Sequence, residues 1–190
     1  QIDFGKAIDR SRQVVQQLTR GIALLLKKNN VEHVDGTGVL SDWKTVQVQG
    51  NGRTLSADNI IVATGARERA LPSLPVDRSM VITSREALEL RDVPSRVVIV
   101  GGGATGAEFA HIYSTYGADV TIIETLPRLI PLEDEELSGR LERSFRSQGI
   151  TVRTGASVTS ISIEGSTAQV SVSEGDGESV IQCDKVLVAV

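Results

Sequence analysis

Arg96-Val97-Val98-Ile99-Val100 is an apolar, β-branched run that leads without a break into Gly101-Gly102-Gly103-Ala104-Thr105-Gly106. A helix-like pattern follows from Ala107 to Tyr116. A second β-branched run, Asp119-Val120-Thr121-Ile122-Ile123-Glu124, then ends on an acid. Strand, G-x-G-x-x-G turn, helix and acid-terminated strand together make the complete βαβ fingerprint of a dinucleotide site. Each part has a physical task. Gly101 allows the tight turn off the strand, Gly103 lets backbone approach a pyrophosphate, and Gly106 lets the helix lie close to the sheet. Gly102, Ala104 and Thr105 complete the loop, and the helix N-terminus offers unpaired N–H groups and a partial positive charge to the phosphates.

The acid at the end of the second strand selects between nicotinamide cofactors. A carboxylate at Glu124 accepts hydrogen bonds from ribose hydroxyls and repels a 2′-phosphate, while Thr125 and Leu126 supply no cation to bind one. NAD is therefore expected rather than NADP. Glu108, two residues past Gly106, is placed in the first helical turn and read as a contact near the nicotinamide end. A surface acid that suits the helix dipole is the plainer alternative.

Around this unit the chain alternates helices and short strands. Residues 3–28 carry Phe4, Ile8, Val15, Leu18, Ile22 and Leu25 near helical period and close on Lys27-Lys28, so they predict a long amphipathic helix. Strands are expected at 31–34, 45–49, 53–55 and 60–64, with Gly50-Asn51-Gly52 as a hairpin turn. Residues 67–82, with Pro72 and Pro75, read as an irregular link. Thr83-Ser84-Arg85-Glu86 has capping-box spacing and should open a short helix ending near Arg91. Pro127 and Pro131 bracket a loop. A helix is expected over 133–148, with Glu136–Arg140 and Glu142–Arg146 as supporting pairs. Strands follow near 150–154, 158–163, 168–173 and 179–190.

The two halves repeat one pattern. Val31-Glu32-His33-Val34-Asp35-Gly36, a hairpin and Ala57-Asp58-Asn59-Ile60-Ile61-Val62-Ala63 are matched by Ile150-Thr151-Val152-Arg153-Thr154-Gly155, a hairpin region and Cys183-Asp184-Lys185-Val186-Leu187-Val188-Ala189. Such self-similarity predicts two related nucleotide-binding domains. The first copy lacks a βαβ unit of its own and the second stops at Val190, so the sequence reads as a piece of a longer protein. Ala63-Thr64-Gly65 ends the first copy's last expected strand. In an open α/β sheet that is a ligand-binding position, although a plain strand-exit turn has the same composition.

The remaining chemistry is sparse. A lone cysteine, Cys183, excludes a disulfide framework within the chain and reads as a packed side chain. His33 and His111 are far apart and read as ordinary surface or core residues, Trp43-Lys44 as a hairpin-edge contact, and no metal site is expected. A net charge of -4 and an aromatic content of 3% argue against nucleic acid as a partner. No apolar run reaches the roughly 18 residues of a membrane helix, so a membrane partner is not expected. With no signal-peptide pattern at Gln1-Ile2-Asp3-Phe4, a cytoplasmic location is the default.

Taken in order, Asp35-Gly36-Thr37-Gly38, Ile61-Val62-Ala63-Thr64-Gly65-Ala66, Thr83-Ser84-Arg85-Glu86-Ala87-Leu88, Val98 through Glu108, Glu124 through Pro131 and Asp184 through Val190 resemble the flavoprotein disulfide oxidoreductases, and within them the dihydrolipoyl dehydrogenase type. The resemblance covers nearly the whole chain. It implies an α/β architecture of Rossmann-like FAD- and NAD-binding domains, each a central parallel sheet plus a β-meander. Residues 1–92 would be part of an FAD domain with its link, and 93–190 a nearly complete NAD domain. It also implies that Gly38, Thr64, Gly65 and Ala66 touch FAD, and that the Gly101–Glu108 loop, Glu124 and Val158 line the NAD site.

By the same resemblance, hydride passes between NAD(H) and FAD. Electrons then pass to a redox-active cysteine pair and on to dihydrolipoamide or another disulfide substrate, in a homodimer. The cysteine pair would lie before residue 1 and a histidine–glutamate pair beyond Val190, so no catalytic residue is expected within this sequence. Many relatives carry a tyrosine where this chain has Ala104. Same-fold alternatives are NADH oxidases and mercuric or ferredoxin-type reductases. An alternative of another class is a non-catalytic NAD-sensing module.

Overall fold

The β-branched runs at 96–100, 119–124 and 185–188 become the centre of one parallel sheet. The computed structural model describes residues 3–66 and 74–190. Among them, β4 (Val81–Ile82), β5 (Arg96–Val100), β6 (Asp119–Glu124), β7 (Thr151–Thr154) and β11 (Lys185–Val188) form a five-stranded sheet in the order β4-β11-β5-β6-β7. The neighbouring pairs are parallel, with Lys185 opposite Val97, Arg96 opposite Asp119 and Thr121 opposite Thr151.

Both faces of this sheet are covered, which is why its strands read as continuous apolar runs rather than alternating ones. Val97 and Ile99 of β5, Val120 and Ile122 of β6 and Leu187 of β11 face one cluster. That cluster is completed by Phe109, Ala110 and Tyr113 of α3 (Ala104–Thr115) and Phe145 of α4 (Glu135–Ser147). Val98, Val100, Ile123, Val186 and Val188 face a second cluster with Ala168, Val170 and Val172. These last three belong to an antiparallel meander of β8 (Ala156–Glu164), β9 (Thr167–Glu174) and β10 (Gly177–Cys183), in the order β10-β9-β8. The result is a helix layer, a parallel sheet and a meander layer.

The chain divides into two units, one joining Gln1–Arg10 with Glu68–Val190 and the other being Ser11–Arg67. The division expected at 92/93 therefore falls inside the first unit, because β4 pairs with β11 and α2 (Ser84–Ala87) follows β4 directly. In the second unit, β1 (Thr37–Leu40), β2 (Thr45–Gln49) and β3 (Thr54–Ser56) form a separate antiparallel sheet in sequence order. It has the meander of the expected architecture but no parallel sheet among the described residues.

Helix α1 (Phe4–Lys28) matches its prediction within a residue. Only its start is covered: Phe4 is buried against Tyr113 and Tyr116, with ring centroids 6.3 and 4.9 Å away. Val15, Leu18, Ile22 and Leu25, the later apolar positions of the expected amphipathic helix, are exposed. Among the described residues the structure contains no helix long and apolar enough to cross a membrane.

Four local expectations need correction. Residues 31–34 and 60–64 form no strand, since among the described residues no neighbouring strand pairs with either run. Val81–Ile82, assigned to an irregular link, is a buried strand, started by Asp77, whose carboxylate accepts the N–H groups of Ser79, Met80 and Val81 at 2.7–2.9 Å. Residues 67–73 of that link, with Pro72, lie outside the described residues. The capping box of Thr83 and Glu86 forms as expected, but α2 ends at Ala87 rather than near Arg91, where Glu89 N–H bonds three residues back to Glu86 and closes the last turn. The strand expected over 179–190 is two strands in different sheets, β10 and β11, broken at Asp184. There the Asp184 carboxylate accepts Arg96 N–H at 2.9 Å and the Arg96 guanidinium at 2.8 Å, and Asp184 N–H donates to Arg96 O.

Candidate functional site

The sheet order reverses beside β5. From it the chain runs outward to β6 and β7, then returns through the meander to β11 on its other side. The carboxyl ends of strands at such a switch point are where open α/β sheets bind ligands. The glycine turn sits there.

Gly101 has φ +109°, and a Cβ on it would lie 2.6 Å from Ala189 O. Gly106 is tighter still, since its Cβ would lie 1.9 Å from Gly101 O. Both positions therefore exclude any side chain, the first for turning and the second for seating α3 on the turn. Gly103 is the N-cap of α3 and makes no side-chain cap bond. The first helical bond to close is from Ala107 N–H to Gly103 O, at 2.9 Å. The N–H groups before it form the orphan set of a helix start, and the macrodipole adds partial positive charge at the same place. No acidic side chain stands in that first turn to compete for it. Ala104 and Thr105 are exposed, so the approach is open. Such an arrangement can accept an anionic group at the helix start.

Glu124 closes the other side. It is buried at the end of β6, and its carboxylate accepts Gly102 N–H at 2.6 Å, Leu126 N–H at 2.8 Å and the Thr125 hydroxyl at 3.2 Å. Its positions beside the turn and at the strand end are those the fingerprint predicts. The direct bond to the glycine turn is an addition that spacing did not disclose.

Two other predicted residues sit less centrally. Glu108 is exposed on α3, one residue beyond the first turn rather than within it, because the helix begins at Ala104. Val158 is half-buried, the third residue of β8, opposite Val172 and beside a bulge. The start of β8 is tied to the loop after Glu124 by Gly155 N–H donating to Leu126 O at 2.9 Å. Cys183 is buried in the second cluster, where burial pushes its thiol up to about 11, the environment of a packed side chain.

Within the second unit, Gly38 and Thr64 line one open groove with Val39, Leu40, Val46 and the run Ile60–Ala63. Gly65 and Ala66 continue from its edge, both exposed. The structure thus brings Gly38 and Thr64 together although 26 positions separate them in sequence. His33 and Trp43 are solvent-facing, with Lys44 Nζ 4.7 Å from the Trp43 ring centroid. His111 meets Gln148 at 3.3 Å on the surface.

Leu129 and Ile130 were missed by the sequence reading. Leu129 is fully buried beside Gly102, and Ile130 N–H donates to Gly102 O at 2.7 Å. The two prolines that bracket them marked a loop, but nothing in spacing said that the loop folds back onto the glycines.

The sequence matches the family model for pyridine nucleotide-disulphide oxidoreductases over residues 2–190. A dihydrolipoyl dehydrogenase of Chlorobaculum parvum is 45% identical over 99% of this chain. This chain spans 41% of that relative's length. Among solved structures, the HOCl-induced flavoprotein disulfide reductase RclA of Escherichia coli aligns with a TM-score of 0.83 at 27% identity, over 99% of this chain and 42% of its own. LpdA of Mycobacterium tuberculosis aligns with a TM-score of 0.86 at 27% identity, over 99% and 42%. The glycine turn at the sheet's switch point, the acid-terminated β6 and these matches lead to one conclusion: the chain belongs to the pyridine nucleotide-disulphide oxidoreductase family.

Proposed function

We propose that this chain carries the NAD(H) site and part of the FAD site of a flavoprotein of dihydrolipoyl dehydrogenase type. In this reading 93–190 is the core of the NAD domain and 1–92 belongs with the FAD domain and its link. The observation that carries it is the uncapped start of α3, set against β5 with no room for a side chain at Gly101 or Gly106.

The chain's residues fit the cofactor. Orphan N–H groups at Gly103–Gly106 would receive the pyrophosphate, and Glu124 would receive the adenosine ribose. The carboxylate oxygen bonded to Gly102 carries one hydrogen bond here and keeps a lone pair for a hydroxyl. Its negative charge, together with the neutral Thr125 and Leu126, disfavours a 2′-phosphate. Ala104 leaves the nicotinamide side unobstructed, and Glu108 stands beside it on α3. For FAD, the groove of Gly38, Val39, Leu40 and Thr64 supplies apolar walls, with Gly65 and Ala66 at its edge. Bound together, the two cofactors supply hydride transfer between nicotinamide and flavin.

The disulfide chemistry, dihydrolipoamide as substrate, a homodimer and a cytoplasmic setting extend this reading to the whole protein. They rest on likeness to relatives far longer than this chain. The disulfide reductases among its structural neighbours favour this over the sensing-module alternative. Cofactor choice tests the reading at its base. Glu124→Arg replaces the ribose acceptor with a cation and should lower the preference for NADH over NADPH about tenfold in binding titrations. An unchanged ratio would remove Glu124 from the role given to it.

A further inference from the structure

The loop after β6 does more than leave the strand. Ile130 has φ +40°, a left-handed conformation that β-branched residues strongly avoid. Such strain persists only where surrounding structure over-determines it, and it gathers at ligand clamps. Here the surroundings are specific. Ile130 N–H donates to Gly102 O, while Gly102 N–H donates to Glu124. Both faces of the Gly102 residue are therefore held by one hairpin of chain, Glu124 through Ile130.

Leu129, beside the strained residue, is fully buried, and its Cδ2 would lie 2.6 Å from a Cβ on Gly102. Ile130 O is anchored in turn by Glu133 N–H at 2.9 Å and the buried Ser138 hydroxyl at 3.4 Å. Gly101 N–H is fixed on Ile123 O at 2.9 Å. The turn that must meet a pyrophosphate therefore has little freedom left at its first two residues. Two of these restraints, the bond to Gly102 O and the packing against Gly102, come from Ile130 and Leu129.

We propose that Leu129 and Ile130 are positioning residues for the dinucleotide, clamping the Gly101–Gly102 turn so that the following N–H groups converge on the pyrophosphate. The proposal rests on the NAD reading of the site. Order in the turn is then part of binding: a turn already held costs less to fix when the ligand arrives. Coupling of this kind is reciprocal, so bound dinucleotide must hold the clamp as the clamp holds it.

The test compares NADH with adenosine, which lacks the pyrophosphate, on the purified protein. Leu129→Ala should weaken NADH about tenfold and adenosine less than about twofold, whereas the volume-conserving Leu129→Met should stay near the starting protein. Equal losses for both ligands, or NADH binding untouched in Leu129→Ala, overturn the proposal.

A second measurement needs no variant and decides the matter if Leu129→Ala does not fold. Saturating NADH should slow hydrogen exchange of the Ile130 amide roughly tenfold or more in the unaltered protein, because opening the clamp forfeits the ligand. An unchanged exchange rate overturns the clamp. If the unaltered protein binds no NADH, the NAD reading falls and takes the clamp with it. If it binds and only the clamp responses are missing, the NAD reading stands.

Discussion

Ala57-Asp58-Asn59-Ile60-Ile61-Val62-Ala63 and Cys183-Asp184-Lys185-Val186-Leu187-Val188-Ala189 follow the same pattern of small residue, aspartate, spacer and apolar run. In the second, Val186–Val188 lie in β11 between β4 and β5, and Leu187 is 0% exposed. In the first, the apolar run makes no strand, and Ile61 is 90% exposed. The aspartates diverge too. Asp184 is held by the backbone and guanidinium of Arg96, while among the described residues Asp58 meets Lys44 alone, at 3.3 Å with its own side chain almost wholly in solvent. Local pattern thus states a capacity to be a strand. Neighbouring strands and a covering layer on each face turn that capacity into structure, because a single strand leaves its ladder of N–H and C=O groups unpaired.

The largest effect expected from this contrast is at the paired apolar positions. Leu187→Ala should cost about 2–5 kcal/mol in chemical denaturation, through lost burial and a cavity in the cluster it shares with Val97, Ile99 and Tyr113. Ile61→Ala, the same truncation in the matching run, should change stability by less than about 0.5 kcal/mol. Comparable losses at the two positions would show that Ile60–Val62 is packed in solution and would break the comparison.

Next comes the glycine turn. Gly106→Ala forces a methyl against Gly101 O and should cost about 1–3 kcal/mol by overpacking. It should also abolish NADH binding at concentrations that saturate the unaltered protein. Gly65→Ala meets nothing within 4 Å, so its cost comes only from φ +74°. It should leave NADH affinity unchanged in fluorescence titration.

The aspartates give a smaller effect that depends on pH. The side-chain hydrogen bond from Arg96, with its backbone bond and charge, holds the Asp184 carboxyl below its ordinary range. Its folded value being lower than its unfolded one, the group stabilises the fold fully above the unfolded value of about 4. That contribution disappears as pH falls through the folded value. Asp184→Asn should therefore cost about 1 kcal/mol at neutral pH and flatten the acid side of the stability profile. Asp58→Asn, at an exposed side chain, should cost less than about 0.5 kcal/mol at neutral pH. A profile whose acid limb is unchanged in Asp184→Asn would contradict the assigned cause.

Legibility in the sequence followed the same divide. The βαβ unit, α1, α4 with its Glu136–Arg140 and Glu142–Arg146 pairs, and the capping box of Thr83 and Glu86 were all readable, because each is set by residues close in sequence. Val81–Ile82 was not, since two residues carry no period and their strand exists only by pairing with β11, more than a hundred positions later. Ile60–Thr64 misleads for the opposite reason: composition announces a strand that no partner among the described residues completes. In the site, glycines and acid declared themselves by spacing. The bonds from Gly102 to Glu124 and Ile130 did not, because they depend on how the loop between Pro127 and Pro131 folds back.

The central claim is that dinucleotide phosphates rest on the N–H groups where β5 gives way to α3. Titrating NADH into 15N-labelled protein while following each backbone amide tests it most directly. Saturable shifts concentrated at Gly102–Gly106 and around Glu124 are the predicted result. Saturable binding whose shifts leave those amides still, or no saturable shift at all, would contradict it.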